Sequence, residues 1–262
     1  MYPKRVFTLV ETNPDDEIYE LCITLKDVPG AIAKTAQVLS DANINIKTGS
    51  LFYGPEGREK GFWTSFIDIS KATVKLKELI DKLKGLDVVL DVKVEKPVPV
   101  AYEVIHFPIL HGKRRALVMP VDLFKSLFEE VSKILTPSGF AAVFYNAGKK
   151  SGFFFAEFLK KEFNLKTIEE QIAVLKQAVR AIGWGIVEDE NIDMETLSGS
   201  IRIRYNIESS IWGKSSDNVC HWTRGFIAGY ISAVYKIDLE AVEVKCSASG
   251  NPCCEFKLTR KI

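Results

Sequence analysis

The chain has 262 residues, 47% hydrophobic and 26% charged, enough for two ordinary domains with buried cores. Its 35 Lys and Arg against 34 Asp and Glu leave a formal charge of +1, so no basic excess marks a nucleic-acid-binding face. No apolar core of a secretory signal precedes the first charges, and no apolar run approaches the roughly 18 residues of a bilayer span. The expectation is a cytoplasmic protein.

Ile18 to Leu25 alternates apolar and polar residues, as a half-buried strand does. Asp27-Val28-Pro29-Gly30 turns the chain into a helix from Gly30 to Ala42, with Ile32, Ala36 and Leu39 on one face. A second strand opens at Ile44 and runs to Tyr53. Gly54-Pro55-Glu56-Gly57 forms a hairpin loop, and Phe62 to Ile69 alternates again. Leu76, Leu79, Ile80 and Leu83 mark a second helix, and Val88 to Val94 a last strand. The order β-α-β-β-α-β is that of ferredoxin-like folds. Two prolines, Pro97 and Pro99, disfavour regular pairing and predict a linker over residues 97–103 between domains at 1–96 and 104–262.

The second part begins with a proline-started helix after Pro120, carrying Leu123, Leu127, Val131 and Ile134 on one face. Phe140 to Tyr145 reads as a short buried strand. Asn146-Ala147-Gly148-Lys149-Lys150-Ser151-Gly152 leads from it into the aromatic run Phe153-Phe154-Phe155 and Phe158. Thr167-x-x-Glu170 is a capping box for a helix whose inward face is Ile168, Ile172, Leu175, Val179 and Ile182, with Gly183 as its stop. Strands are expected at Gly185 to Glu188 and Ser200 to Asn206, a helix at Val219 to Tyr235, and strands at Val242 to Cys246 and Cys254 to Leu258. The whole is α+β.

Of the five cysteines, Cys22 stands alone as an apolar strand residue and four lie between 220 and 254. In a reducing compartment such a cluster points to metal more than to disulfides. Cys220, Glu243, Cys246 and Cys254 form a donor set suited to a closed tetrahedral zinc site. A Cys-x7-Cys pair is of low specificity, and buried free thiols remain the alternative reading. Glu243 and Cys246 are three residues apart, so an unbroken strand would point them to opposite faces. The site requires a bulge or bend near Lys245. Cys253 alternates with Cys254 and is expected to pack rather than ligate.

Two resemblances add to this. The run Ile23-Thr24-Leu25-Lys26-Asp27-Val28-Pro29-Gly30-Ala31-Ile32, followed by Leu39-Ser40-Asp41-Ala42-Asn43-Ile44-Asn45-Ile46, resembles the opening of an ACT domain. That family consists of regulatory modules that pair through their sheets and bind amino acids or similar effectors. The resemblance implies an effector site at Asp27, Val28, Pro29, Gly30, Ala31 and Ile32, where free helix N–H groups can receive a carboxylate. From about Gly112 onward the chain resembles the 4-vinyl reductase domain family. Gly183-Trp184-Gly185, Cys220-His221-Trp222-Thr223-Arg224-Gly225-Phe226-Ile227-Ala228-Gly229-Tyr230 and Glu243-x-x-Cys246-x-x-x-Gly250-Asn251-Pro252-x-Cys254 carry that likeness. In the phenol-sensing bacterial activators of this family, three cysteines and a glutamate hold zinc. Cys220, Glu243, Cys246 and Cys254 match that ligand set one by one.

Catalytic signals are few. His106 and His111 have no assignable partner, and His221 adjoins a ligand candidate. No nucleophile elbow, phosphate loop or dinucleotide fingerprint is present. A coordinatively full zinc would stabilise the fold rather than activate water. Phe144, Phe154, Trp184, Trp222, Phe226 and Tyr230 are candidates to line an apolar pocket, against the alternative of plain core packing. The expectation is a homodimeric, non-enzymatic sensor taking an amino acid and a hydrophobic or aromatic small molecule. Its output would pass through a protein partner, with no direct contact to nucleic acid. A dimeric scaffold with a lipid-filled or empty cavity is the alternative, and an enzyme of tetrapyrrole or aromatic metabolism a more distant one.

Overall fold

The computed structural model describes residues 9–10, 13, 15–53, 59–97, 100–193 and 198–261. The expected hairpin loop at Gly54 to Gly57, and Val98 and Pro99 of the expected linker, lie outside the described residues. The chain divides into two compact units, Met1–Leu117 and Val118–Ile262.

The first unit runs β1 (Leu9–Val10), β2 (Ile18–Lys26), α1 (Ala31–Asp41), β3 (Asn45–Tyr53), β4 (Lys60–Asp68), α2 (Leu76–Lys84), β5 (Val89–Glu95) and β6 (Ala101–Tyr102). A small hairpin of β7 (Leu110–His111) and β8 (Arg114–Arg115) follows. The main sheet has the order β3-β4-β2-β5 with every neighbour antiparallel, and β1 pairs with β6. Alternation along β2 sends Leu21, Ile23 and Leu25 into a core with Trp63, Ile67, Leu39, Leu79 and Leu83. On α1 the buried row is Ala31, Thr35 and Leu39, while the expected Ile32 is 37% exposed. Gly30, at φ 84°, caps the helix in a backbone conformation that a side chain would strain.

The opposite face of β2 presents Glu20, Cys22 and Thr24, and residues 104–106 pack there. The buried Glu20 carboxylate accepts the N–H groups of Val104 (2.8 Å) and Ile105 (3.2 Å). His106 Nε2 lies 2.6 Å from Thr64 Oγ1 and 3.2 Å from Cys22 Sγ, with its ring edge-on to Phe52 and Phe62. Burial lowers the His106 pKa. The histidine that lacked a partner in sequence thus bonds to β2 and β4, and Cys22 has an imidazole beside it. Residues 104–117, assigned by sequence to the second domain, fall within the first unit.

The second unit comprises α3 (Val121–Ile134), α4 (Pro137–Glu162), α5 (Ile168–Ala181), β9 (Ile186–Asp193), β10 (Ser198–Arg204), α6 (Ile207–Trp212), α7 (His221–Tyr235), β11 (Leu239–Lys245) and β12 (Cys254–Arg260). Its antiparallel sheet has the order β11-β12-β10-β9. The expected strand at Phe140 to Tyr145 is instead part of the 26-residue helix α4, started by a Thr136 cap and Pro137. The glycines that suggested a loop are contact points. Ideal Cβ atoms on Gly148 and Gly152 would lie 2.2 Å from Trp222 O and 2.0 Å from Phe226 O. On Gly225 and Gly229 they would lie 2.1 Å from Tyr145 O and 1.8 Å from Lys149 O. Four glycines therefore let α4 and α7 pack backbone against backbone.

On α3 the expected apolar face also shifts. Leu123, Leu127 and Ile134 are 58%, 53% and 80% exposed. Phe128 is buried instead, with Phe124 beside it and Phe140 and Phe144 of α4 against it. Two apolar rows compete on this helix, and the aromatic one buries more area per residue. The ends of α5 lie where its capping chemistry puts them. The capping box is formed, and at Gly183 the N–H groups of Gly183 and Trp184 bond back to Arg180 and Val179 carbonyls, closing a Schellman turn.

Candidate metal centre and neighbouring pockets

Three elements converge on the cysteine cluster. Cys220 is the N-cap of α7, Glu243 lies on β11, Cys246 follows β11, and Cys254 opens β12. The pairing of β11 with β12 slips between Glu243 and Lys245, so Val244 is an extra residue. This bulge supplies the needed half-turn, and Glu243 and Cys246 both face inward. A 3-10 turn over Ser247–Ser249 and the αL residue Gly250 then bring Cys254 back beside Cys246.

The donor atoms of Cys220, Glu243, Cys246 and Cys254 lie within 4.8 Å of one another, and all four residues are buried. Cys220 Sγ is 3.8 Å from the Sγ atoms of both Cys246 and Cys254. Zn–S bonds of about 2.3 Å at tetrahedral angles imply sulfur separations of about 3.8 Å, so the cage has the right size without rearrangement. The carboxylate is half committed. Glu243 Oε2 accepts the Cys220 N–H at 2.9 Å, while the buried Oε1 has no partner. An orphaned carboxylate oxygen facing three thiols fits a bound cation. Hydrogen bonds from Cys246 and Cys254, then burial, push the Cys220 thiol up. The same contacts, with the Ser247 N–H, pull Cys254 down, making it the sulfur that first carries charge. Cys253 stands outside this set.

A second carboxylate supports the start of α7. Glu208, fully buried on α6, accepts the N–H groups of Trp222 (2.9 Å) and Thr223 (2.7 Å). Burial pushes its pKa up to about 7, against those two hydrogen bonds. Asn206 Oδ1 accepts from Glu208 N–H and from Thr223 Oγ1, which in turn accepts from Trp184 Nε1. Sequence reasoning missed Glu208 and Asn206. Neither has a distinguishing local pattern, because their partners on α7 lie 14 to 17 positions further along the chain.

The six aromatic candidates do not form one group. Trp184, Trp222, Phe226 and Tyr230 stack in series, with successive centroids 4.4, 5.1 and 6.3 Å apart. Phe144 belongs to the neighbouring cluster of Phe128 and Phe140. Phe154 is 54% exposed with the Lys150 ammonium over its ring. Burial raises the Tyr230 pKa, and its hydroxyl donates to Gln171 O. His221 lies against Phe140, and burial pulls its pKa to about 4. In the first unit, Asp27, Val28, Gly30, Ala31 and Ile32 line a pocket of about 410 Å³ that Tyr53 also borders; its hydroxyl donates to Asp27 Oδ1. Among the described residues no helix is long and apolar enough to cross a membrane.

The vinyl-4-reductase domain family matches residues 200–260, which include all four cluster residues. An uncharacterized protein of Methanocaldococcus jannaschii is 25% identical over 149 residues, 56% of this chain and 80% of that protein. Among solved structures, the phenol-responsive sensory domain of the transcription activator PoxR, with phenol, matches at a TM-score of 0.51 and 19% identity. The match covers 57% of this chain and 78% of that one, and the likeness is one of fold. The ACT domain of a Chlorobium tepidum GTP pyrophosphokinase is 26% identical over 30% of this chain and 99% of that one, with a TM-score of 0.26.

Proposed function

We propose that this protein is a non-enzymatic small-molecule sensor with two binding modules, the second locked by a structural zinc ion. The observation that carries the reading is the buried cage of three sulfurs and one half-satisfied carboxylate, within the segment that matches the vinyl-4-reductase domain family. Cys220, Glu243, Cys246 and Cys254 would hold the ion, which supplies a cross-link between α7, β11 and β12 and leaves no position for a reacting water. The fold shared with a phenol-responsive sensory domain supports a hydrophobic or aromatic ligand for the second unit. Its seat would be the aromatic stack from Trp184 to Tyr230.

The first unit would act as an ACT-type effector module. Its pocket at Asp27 to Ile32 supports this, since the start of α1 offers backbone N–H groups to a carboxylate. The protein would be cytoplasmic and homodimeric and would signal through a protein partner. One observation favours a scaffold reading instead: the exposed apolar row Leu123, Leu127 and Ile134 on α3 is a surface for another chain.

Thermal unfolding of the full chain with free amino acids and with phenol-like aromatics separates these readings. A sensor gains several degrees with at least one ligand, because binding only the native state stabilises it. A flat response to all of them, in a protein that sediments as a dimer, supports the scaffold and contradicts the sensor.

A further inference from the structure

The largest groove of the second unit lies outside the aromatic stack, between residues 204–216 and the loop 247–252 that follows Cys246. Its volume is about 1090 Å³. The groove is anchored to the loop after Cys246 by the Ser215 N–H, which donates to Ala248 O at 3.0 Å. Among the described residues no Asp or Glu lines it, whereas Arg204 and Lys214 do.

Six serines line the same groove, and their hydrogen bonds sort them. Ser209, Ser210 and Ser249 donate their hydroxyls to backbone carbonyls, and Ser247 donates to Ser209. Those four protons are spent. Ser215 Oγ accepts the Asp217 N–H, which leaves its own proton free, and the Ser216 hydroxyl has no partner among the described residues. Arg204 is engaged through Nε by Glu188 at 2.7 Å, but Lys214 has no ion-pair partner among the described residues.

Asn206 supplies the independent observation. It is fully buried, and it borders the groove. Its amide cannot be turned over, because the Glu208 N–H points at one end and requires an acceptor there. Nδ2 is therefore the other end, and it is a buried donor with no acceptor. Buried polar groups left in this state are rare in folded proteins. The uncommitted groups at this groove, Lys214 Nζ, Ser215 Oγ, Ser216 Oγ and Asn206 Nδ2, are donors that converge on a cavity without a carboxylate. What satisfies such a set is an acceptor carrying negative charge.

We propose that this groove is a binding site for an oxyanion-bearing small molecule, a phosphate or carboxylate compound, with Lys214 and Asn206 as its principal donors. The site is separate from the effector pocket of the first unit and from the aromatic stack. It stands whether or not those two bind ligands. Because one wall is the loop between Cys246 and Cys254, an occupant would sit against the metal-bearing hairpin.

The test is a titration of the metal-replete full chain, in chloride buffer, with pyrophosphate in one arm and succinate in the other. Calorimetry reads the affinity, and nitrogen-edited NMR reads the Asn206 side-chain amide. The expected result is saturable binding of one probe, a shifted Asn206 amide signal, and affinity at least about tenfold weaker in Lys214→Glu, as for a lost charge-assisted hydrogen bond. Lys82→Glu, the same charge change on α2 of the first unit, should bind like the unaltered protein. Pyrophosphate binding assigns a phosphate ligand and succinate binding a carboxylate. The proposal is overturned if neither probe saturates, if Lys214→Glu binds undiminished, or if the Asn206 amide does not move.

Discussion

Replacing Gly152 with alanine sets two effects of opposite sign against each other. Inside a helix, Gly→Ala ordinarily stabilises by up to about 1 kcal/mol, because alanine has less backbone freedom to lose. Here the new methyl would sit 2.0 Å from Phe226 O on α7, and no real Cβ approaches within 3.0 Å. The helices must part by about 1 Å at that point. A gap of that size forfeits roughly a quarter to a half of the dispersion attraction across the seam, and overpacking of this kind costs about 1–3 kcal/mol or more. Phe226 O belongs to a helix backbone and cannot swing aside like a side chain. The net expectation is destabilisation of about 2 kcal/mol, with the sign reversed from the propensity argument. Urea unfolding followed by tryptophan fluorescence should show a lower midpoint at unchanged slope. An unchanged or raised midpoint would refute the backbone-to-backbone packing of α4 and α7.

Three further expectations concern single carboxylates and a thiol. Glu208→Ala orphans the Trp222 and Thr223 N–H groups at the start of α7 and should cost about 2–4 kcal/mol, whereas Glu208→Gln keeps one acceptor and should cost about half as much in the same unfolding assay. Burial opposes the Asp68 charge, but hydrogen bonds from Ser70, Lys47 and the Glu17 N–H outweigh it and hold its pKa at about 2 against the usual 3.8. A depressed carboxyl pKa stabilises the fold above 3.8, and that contribution is lost as pH falls from 3.8 towards 2. Acid unfolding of Asp68→Asn should therefore show a shallower pH dependence in that window; equal slopes would contradict the assignment. Cys246→Ser should lose the metal and unfold the second unit, read as loss of near-ultraviolet ellipticity, since metal binding there contributes to folding.

What sequence could and could not disclose follows the range of the interactions involved. The βαββαβ order, the α5 caps and the cluster residues rest on local periodicity, capping chemistry and residue type. The bulge at Val244 was inferable because Glu243 and Cys246 had to share a face. The helical state of Phe140 to Tyr145 was hidden, because Gly148 and Gly152 look like chain breakers until α7 is placed against them. On α3, choosing between the leucine row and the Phe124–Phe128 row required knowing where Phe140 and Phe144 would lie. His106 and Glu208 gained partners only through tertiary contacts, with Thr64 and Cys22 in one case and Trp222 and Thr223 in the other.

X-ray absorption at the zinc edge, on protein purified without added chelator, addresses the metal centre most directly. The predicted spectrum is one zinc per chain with three sulfurs at about 2.3 Å and one oxygen at about 2.0–2.2 Å. A protein without zinc that still folds, or a shell dominated by nitrogen and oxygen, would contradict the assignment of Cys220, Glu243, Cys246 and Cys254.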